Sequence, residues 1–295
     1  MYELVQVGAH TYYIDCPAKI GLWVEEDGAY LIDSGGDASA AKKARRHLES
    51  NGWALRGIIN THYHADHVGG NHYLQQQTGC PVFAGGIDAA CTRYPLLEPA
   101  LLWGGFPSQD LRHKFLLAQE SHPRPLEDPA FPRALEVIPL PGHSFDMIGI
   151  RTPDDVVFLA DCLSSATTLE KYRVTVLWDV AAALQTLDRV EAMEAAMFVP
   201  AHAEASDDVR ALARLNRSAM LSVADTLAEL AREPIGFESL LTALFDRYGL
   251  MLTMEQYALV GSTVRSYLAW MRDNGRVEPV LEHNRLLWRS LPEQG

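Results

Sequence analysis

The chain has 295 residues and a formal net charge of −13 at pH 7, with 48% hydrophobic and 21% charged residues. This composition excludes a disordered or collagen-like chain, and the acidic balance argues against a protein that grips nucleic acid by bulk charge. The sequence contains no apolar run long enough for a membrane span, no signal-peptide pattern at its start and no Cys-x-x-Cys pair, so we expect a cytoplasmic protein without membrane contact.

The first half of the chain predicts short strands, one helix and an insertion. Turn residues and apolar runs predict strands over 12–14, 21–24 and 29–32, a helix over 38–50 and a strand over 57–61. Residues 87–133 break this pattern with a stretch rich in Leu and Trp followed by prolines. They predict an inserted, partly helical segment, either a lid over a site or a surface element packed on the body.

The second half predicts more α/β structure and then a change of character. Strands are predicted over 135–140, 156–159 and 197–200, and helices over 179–195 and 207–232. Beyond residue 233 follow a helix over 237–248, a helix from Thr253 to Met271 and a hairpin over 277–288. This order resembles a winged helix, so we predict one domain over 1–232 and a small, mostly helical, winged-helix-like domain over 233–295.

The main chemical signal is the string THYHADHVGG at residues 61–70. Side chains alternate along a strand, so His62 and His64 are expected on the same side. A helix that begins near Asp66 would bring Asp66 and His67 to the same place. Imidazole and carboxylate are ligands that zinc and related divalent metals accept, so the string predicts a metal site.

Three further ligand-type residues follow apolar strands. His143 occurs in LPGHS, Asp161 in VFLAD and His202 in FVPAH. Sites in layered α/β folds collect at strand ends, where the loops are free to vary. One such residue carries little weight, but together with the string at 61–70 these three predict a shared metal centre.

The motifs THYHADHVGG, PGHS, LADC and PAH, in this order, resemble the metallo-β-lactamase superfamily over residues 1–232. The segment LIDSG at 31–35 resembles the early turn of that family, in which Asp33 would support the site from beneath. The resemblance implies an α/β fold, a four-layered αβ/βα sandwich of two mixed sheets flanked by helices.

The resemblance also implies two divalent metal ions, with Zn²⁺ expected and Fe or Mn as alternatives. It implies that the first ion is held by His62, His64 and His143. The second would be held by Asp66, His67 and His202, and Asp161 would bridge the two.

Two segments depart from the usual family pattern. The last His lies in PAHAE where PGHG is frequent, and Ser144-Phe145-Asp146 replaces a small turn that contains Gly. Asp146 is either a partner that orients an imidazole or an exposed loop acid. Cys162 follows Asp161 and should face away from the metals on a regular strand, as a small buried residue.

Two metals bridged by a carboxylate can activate a shared water as hydroxide near neutral pH. We therefore expect a binuclear hydrolase of a small ester or thioester, similar to glyoxalase II, in which Asp66 also accepts a proton. The apolar wall of the substrate site is expected from the insertion, at Leu101, Leu102, Trp103 and Phe106.

Two other functions remain open from the sequence. The first is a metal-dependent endoribonuclease or phosphodiesterase whose C-terminal region binds nucleic acid through Arg265, Arg272, Arg276, Arg285 and Arg289. The second is a non-catalytic regulator that keeps the metal fold and binds a ligand. A homodimer is a further expectation, since the insertion and the C-terminal region carry apolar residues.

Overall fold

The computed structural model describes residues 2–26 and 28–292. Its strands are β1 (Glu3–Gln6), β2 (Thr11–Asp15), β3 (Ile20–Glu25), β4 (Gly28–Ile32), β5 (Ala54–Ile59), β6 (Val82–Phe83), β7 (Pro123–Arg124), β8 (Glu136–Pro139), β9 (Ile148–Arg151), β10 (Val156–Ser164), β11 (Met197–His202), β12 (Ile235–Gly236), β13 (Val277–Glu282) and β14 (Arg285–Ser290).

The α-helices are α1 (Ala38–Ser50), α2 (Ala65–Val68), α3 (Asn71–Thr78), α4 (Gly86–Arg93), α5 (Leu97–Trp103), α6 (Ala166–Tyr172), α7 (Val180–Ala192), α8 (Arg210–Leu230), α9 (Phe237–Tyr248) and α10 (Met254–Asp273). A short 3₁₀ helix covers Gln109–Leu111. In the described part of the chain, no helix combines the length and the apolar character needed to cross a bilayer.

Two mixed sheets pack face to face and carry helices on their outer sides, as predicted. One sheet has the order β1-β2-β3-β4-β5-β6-β7 and the other the order β11-β10-β9-β8. Buried side chains of both sheets form the layer between them, among them Trp23 and Ile59 from the first and Ile150 and Phe158 from the second. The sheets approach so closely at Gly21 that a Cβ there would lie 2.6 Å from the ring of Phe158.

The outer helices bury apolar stripes on the outer faces of the sheets. Helices α1 and α3 cover the first sheet with Ala44, Leu48 and Leu74. Helices α7 and α8 cover the second sheet, with Leu187 and Val223 in the buried cluster. The sandwich therefore has four layers in the order helix, sheet, sheet, helix.

The C-terminal region shares the core of the second sheet. Strands β12, β14 and β13 form a small antiparallel sheet beside α9 and α10. Leu244, Val264 and Met271 belong to the same buried cluster as Leu187 and Val223. One hydrophobic core therefore crosses the predicted boundary at 232–233, and the division into two domains and the winged-helix likeness stay predictions.

The insertion at 87–133 is packed onto the body through its middle and its C-terminal part. Its strand β7 pairs with β6 as the last strand of the larger sheet. Leu111 and Leu116 are buried against Ala258 of α10, and the ring of Trp103 lies 6.0 Å from that of Tyr257. The insertion and the C-terminal helix α10 thus support each other.

The shared core predicts that the sandwich and the C-terminal region unfold together. Met271→Ala removes a fully buried side chain and should lower the free energy of unfolding by about 2–5 kcal/mol. Chemical denaturation followed by far-UV circular dichroism and by Trp fluorescence should give one coincident transition, shifted in the variant. The control Met251→Ala changes a side chain that is 81% exposed and should leave the midpoint unchanged. Two separate transitions, with only one of them shifted, would contradict the shared core.

Candidate metal centre

The seven predicted ligand residues lie together at one edge of the sandwich. The loop after β5 carries His62 and His64, and α2 begins next to them with Asp66 and His67, as expected. The other three come from the loop after β8, from β10 and from the end of β11. Three overlapping groups have ligand atoms within 4.8 Å of one another: His62, His64 and His143; His62, His67 and Asp161; Asp66, His67 and His202.

The carboxylate of Asp161 lies in the middle of these groups. Its Oδ1 is 3.0 Å from Nε2 of His67, and its Oδ2 is 3.2 Å from Nε2 of His202 and 3.4 Å from Nε2 of His143. The side chain is only 10% exposed. One buried carboxylate thus faces three imidazoles from three different segments of the chain.

Several ligand atoms are buried without a hydrogen bond. Nε2 of His62, Nε2 of His67 and Oδ1 of Asp161 are of this kind. Buried polar atoms almost always have a partner, so three such atoms in one cluster indicate a cation as the partner. The histidine and carboxylate donor set fits zinc and related divalent ions.

Asp33 fixes the orientation of two of the histidine rings, directly for His67 and through Thr61 for His62. Its Oδ2 lies 2.8 Å from Nδ1 of His67 and accepts a 2.7 Å hydrogen bond from the hydroxyl of Thr61. That hydroxyl oxygen lies 3.0 Å from Nδ1 of His62, from which it accepts. Both rings thus carry their proton on Nδ1, which leaves Nε2 of each free to bind a metal.

Backbone carbonyls fix the orientation of two more imidazole rings in the same way. Nδ1 of His143 donates to the carbonyl of Val176 at 2.9 Å, and Nδ1 of His202 donates to that of Pro17 at 2.8 Å. The neutral form of each ring therefore has its lone pair on Nε2. These hydrogen bonds thus favour the tautomer in which each imidazole can bind a metal through Nε2.

Burial lowers the pKa values of the clustered histidines, and the neighbouring carboxylates raise them. Burial lowers the pKa of His62 well below its ordinary value and that of His64 to about 3. Asp161, acting against burial, raises the pKa of His202 to about 10. Protons and metal ions would compete for the same nitrogen, so metal binding at this cluster should release protons.

Asp161 lies within a distorted strand. The pairing of β10 with β11 shifts register between Phe158 and Ser164, and Ala160 has a φ of +49°. Such a bulge re-aims side chains. Asp161 and Cys162 consequently line the same cavity, whereas a regular strand would have placed them on opposite faces.

Two buried carboxyl groups near the cluster were not predicted. Asp88 in α4 accepts a 2.6 Å hydrogen bond from the hydroxyl of Ser144, next to His143, and burial raises its pKa to about 7. Glu98 in α5 is 4% exposed and accepts a hydrogen bond from the backbone of Ala65 at the start of α2. Both belong to the insertion, where no sequence motif marks them.

Asp146 supports the loop of His143. Its Oδ2 accepts a 2.7 Å hydrogen bond from the backbone N–H of Ile87. The side chain is exposed and lies against Gly86. The structure therefore places Asp146 between this loop and α4, where it contacts backbone.

Of the four residues expected to form an apolar substrate wall, Leu102 alone lines the groove beside the cluster. Leu101 is 38% exposed, Trp103 packs on Tyr257 of α10 and Phe106 is 72% exposed. Other apolar side chains fill this role because α10 closes over the insertion. They are Phe115, Leu116, Val176 and Leu259.

Several arginines of the C-terminal region are engaged within the fold. The guanidinium of Arg265 lies 3.9 Å from the ring centre of Phe237. Arg276 pairs with Asp225 at 2.8 Å, and Arg289 pairs with Glu278. These contacts occupy three of the five arginines on which a nucleic-acid interface was considered.

Comparison with known proteins agrees with this geometry. The sequence pattern of the metallo-beta-lactamase superfamily matches residues 14–202, which contain all seven clustered residues. The chain belongs to the metallo-beta-lactamase superfamily.

Curated relatives within this superfamily are named hydroxyacylglutathione hydrolase. The protein from Bradyrhizobium sp. (strain ORS 278) is 32% identical over 154 residues, which are 51% of each chain. That from Pseudomonas entomophila is 30% identical over 152 residues, 49% of this chain and 48% of the relative. The protein from Methylococcus capsulatus is 35% identical over 85 residues and 32% of its length. The chain thus spans about half or less of the length of these relatives.

Solved structures share the fold at low identity. A metallo-beta-lactamase family protein from Thermus thermophilus matches with a TM-score of 0.72 and 20% identity, over 96% of this chain and 99% of its own. A beta-lactamase domain protein from Burkholderia ambifaria matches with 0.70 and 16%, over 98% and 94%. A metallo-beta-lactamase from Pontibacter korlensis, at 0.56 and 17%, covers 75% of this chain and 99% of its own. The first two therefore share the C-terminal region as part of the fold.

The raised pKa of Asp88 predicts a pH-dependent cost to stability. In the unfolded chain an Asp titrates near pH 4, whereas the folded protein holds this proton up to about pH 7. Its contribution to stability is complete below about pH 4 and is lost as the pH rises through 7. Asp88→Asn is neutral throughout, so its free energy of unfolding relative to the native protein should rise between pH 5 and pH 8.

Denaturant titrations of both metal-free proteins at four pH values measure this difference. Asp110→Asn, at an exposed site in the same insertion, is the matched control. A difference between Asp88→Asn and the native protein that stays constant from pH 5 to pH 8 would contradict the assignment.

Proposed function

We propose that the chain is a binuclear metal-dependent hydrolase of thioesters. In this proposal His62, His64 and His143 hold one divalent ion, and Asp66, His67 and His202 hold the other. The observation that carries it is the position of Asp161, whose two oxygens lie 3.0–3.4 Å from histidines of both groups. A carboxylate so placed is suited to bridge two ions.

Two divalent ions at such a site supply a water of lowered pKa and polarise the carbonyl oxygen that it attacks. The donor set and the frequency of such ligands at zinc sites favour Zn²⁺, and Fe or Mn would accept the same ligands. Asp33 keeps the rings of His62 and His67 in the tautomer that binds metal.

Asp66 is proposed as the group that also accepts a proton. Its side chain is 45% exposed, and it lines the groove where substrate would enter. Its Oδ2 lies 3.4 Å from Nε2 of His202, and nearby histidines hold its pKa below the ordinary range. Asp66 is therefore ionised near neutral pH and within reach of a water at the cluster.

The thioester class rests on the relatives and on the groove. The curated relatives are named for the hydrolysis of a hydroxyacylglutathione, which is a thioester. The groove has a volume of about 610 Å³, the size of a small-molecule site, and Lys114 and Glu98 lie among its lining residues. A small polar thiol compound fits such a groove.

The test is thiol release from a panel of thioesters by zinc-loaded protein. His64→Ala removes one proposed ligand and should lower kcat/KM by more than about 100-fold, because the attacking water loses its activation. Chelation should abolish turnover, and added Zn²⁺, Mn²⁺ or Fe²⁺ should restore it.

His122→Ala is the matched control, since that side chain is 72% exposed and lies away from the cluster. We expect it to keep native turnover and native metal content. Protein that binds two ions per chain and releases no thiol from any thioester would overturn the proposed function. Equal turnover by His64→Ala would overturn the proposed ligand set.

A further inference from the structure

A second cavity opens beside the metal cluster, on the side of the C-terminal helices. Its volume is about 420 Å³, and His143 and Asp161 form part of its wall. The remainder is mostly apolar and comes from the second sheet, the 174–177 segment, α7, α8 and α10. Typical buried wall residues are Met147, Leu177, Leu187, Met220 and Val260.

Two buried polar side chains of this wall, Thr186 and Asn216, are already bonded to the protein, while Glu255 and Gln256 at the start of α10 are half-buried, and Glu255 also lines the groove on the insertion side. The hydroxyl of Thr186 donates to the carbonyl of Pro141 at 2.7 Å. The amide of Asn216 donates to the carbonyls of Ser164 and Leu212 and accepts from the backbone of Ser164, all at 2.9 Å. A polar ligand group beside these two side chains would lose its water without gaining them as partners, so the part of the cavity lined by Met147, Leu187 and Met220 favours an apolar occupant.

The groove on the insertion side carries more charged side chains, next to the apolar ones already described. Asp37, Glu98 and Lys114 are among its lining residues. Both cavities include His143 and Asp161, so the metal cluster lies where they meet. A molecule whose reacting carbon lies at the cluster can therefore place an apolar part in the cavity and a polar part in the groove.

We infer that the substrate is a thioester with an unbranched apolar acyl chain, which binds in the cavity beside α8 and α10. The polar thiol part lies in the groove beside the insertion. This inference rests on the proposed hydrolase function and deepens it. In the reaction the water oxygen bonds to the carbonyl carbon, the carbon–sulfur bond breaks and the sulfur leaves as a thiol with a proton, which gives a free acid.

The C-terminal region then contributes to substrate selectivity. Val260 and Leu259 of α10 form part of the cavity wall, and Met220 of α8 forms another part. These residues select the acyl chain without touching the metal ligands. Burial of each further methylene should raise kcat/KM about fourfold until the cavity is full.

Two substitutions change the volume of the cavity in opposite directions. Val260→Phe fills it and should reduce kcat/KM for octanoyl thioesters at least tenfold, with acetyl thioesters unchanged. Met220→Ala enlarges it and should move the preferred chain length upward. Ala269→Phe and Leu221→Ala make the same kinds of exchange at exposed positions of the same two helices and should keep the native profile.

A binding measurement separates this inference from the hydrolase proposal. Octanamide is neutral and inert, and calorimetry should show that it binds native protein with and without zinc, while acetamide does not. Val260→Phe should weaken octanamide binding at least tenfold. If Val260→Phe does not fold, the chain-length shift of Met220→Ala takes its place.

The outcomes are distinct. Octanamide binding that Val260→Phe removes, with no thioester turnover, supports the acyl-chain cavity and overturns thioester hydrolysis. Thioester turnover that is independent of chain length, with no octanamide binding, overturns the acyl-chain cavity and leaves the hydrolase standing. Turnover that rises with chain length and falls in Val260→Phe supports both.

Discussion

The buried carboxylate of Asp161 is the constraint on which the site depends. A carboxylate that is 10% exposed needs a compensating positive charge, and a cation held by the three imidazole Nε2 atoms within 3.4 Å of it would supply that charge. The bulge at Ala160 turns Asp161 toward them, and Asp33 fixes the ring of His67 from the other side. Five separate segments of the chain must therefore be placed accurately before a metal can bind, and the four-layered sandwich supplies that placement.

Much of this arrangement could be predicted from local sequence signals. The string at 61–70 indicated a metal site because its four ligand-type residues are so closely spaced, and the structure brings them together. Helix α1 has the predicted bounds because Asp37 accepts hydrogen bonds from its first backbone N–H groups. Helix α9 likewise has the predicted bounds, ending at Gly249, which adopts the left-handed conformation that terminates helices.

The features that sequence reasoning missed depend on contacts between distant segments. Asp88 and Glu98 are ordinary acids in a helical insertion until the fold buries them against Ser144 and Ala65. The prediction of an apolar substrate wall at 101–106 rests on composition alone. Leu102 lines the groove, while the docking of the insertion on α10 leaves Leu101 and Phe106 in solvent. The C-terminal region, for which the sequence predicts a separate small domain, shares the core and lines both cavities.

The central claim is that one bridging carboxylate organises two metal ions, and metal content tests it most directly. Protein loaded with zinc and freed of excess metal should contain two ions per chain by mass spectrometry. Asp161→Asn should bind zinc more weakly and retain one ion or none, because the neutral amide cannot bridge two cations. Asp188→Asn, at an exposed acid on α7, should retain two. One ion in the native protein, or two retained equally by Asp161→Asn, would contradict the account.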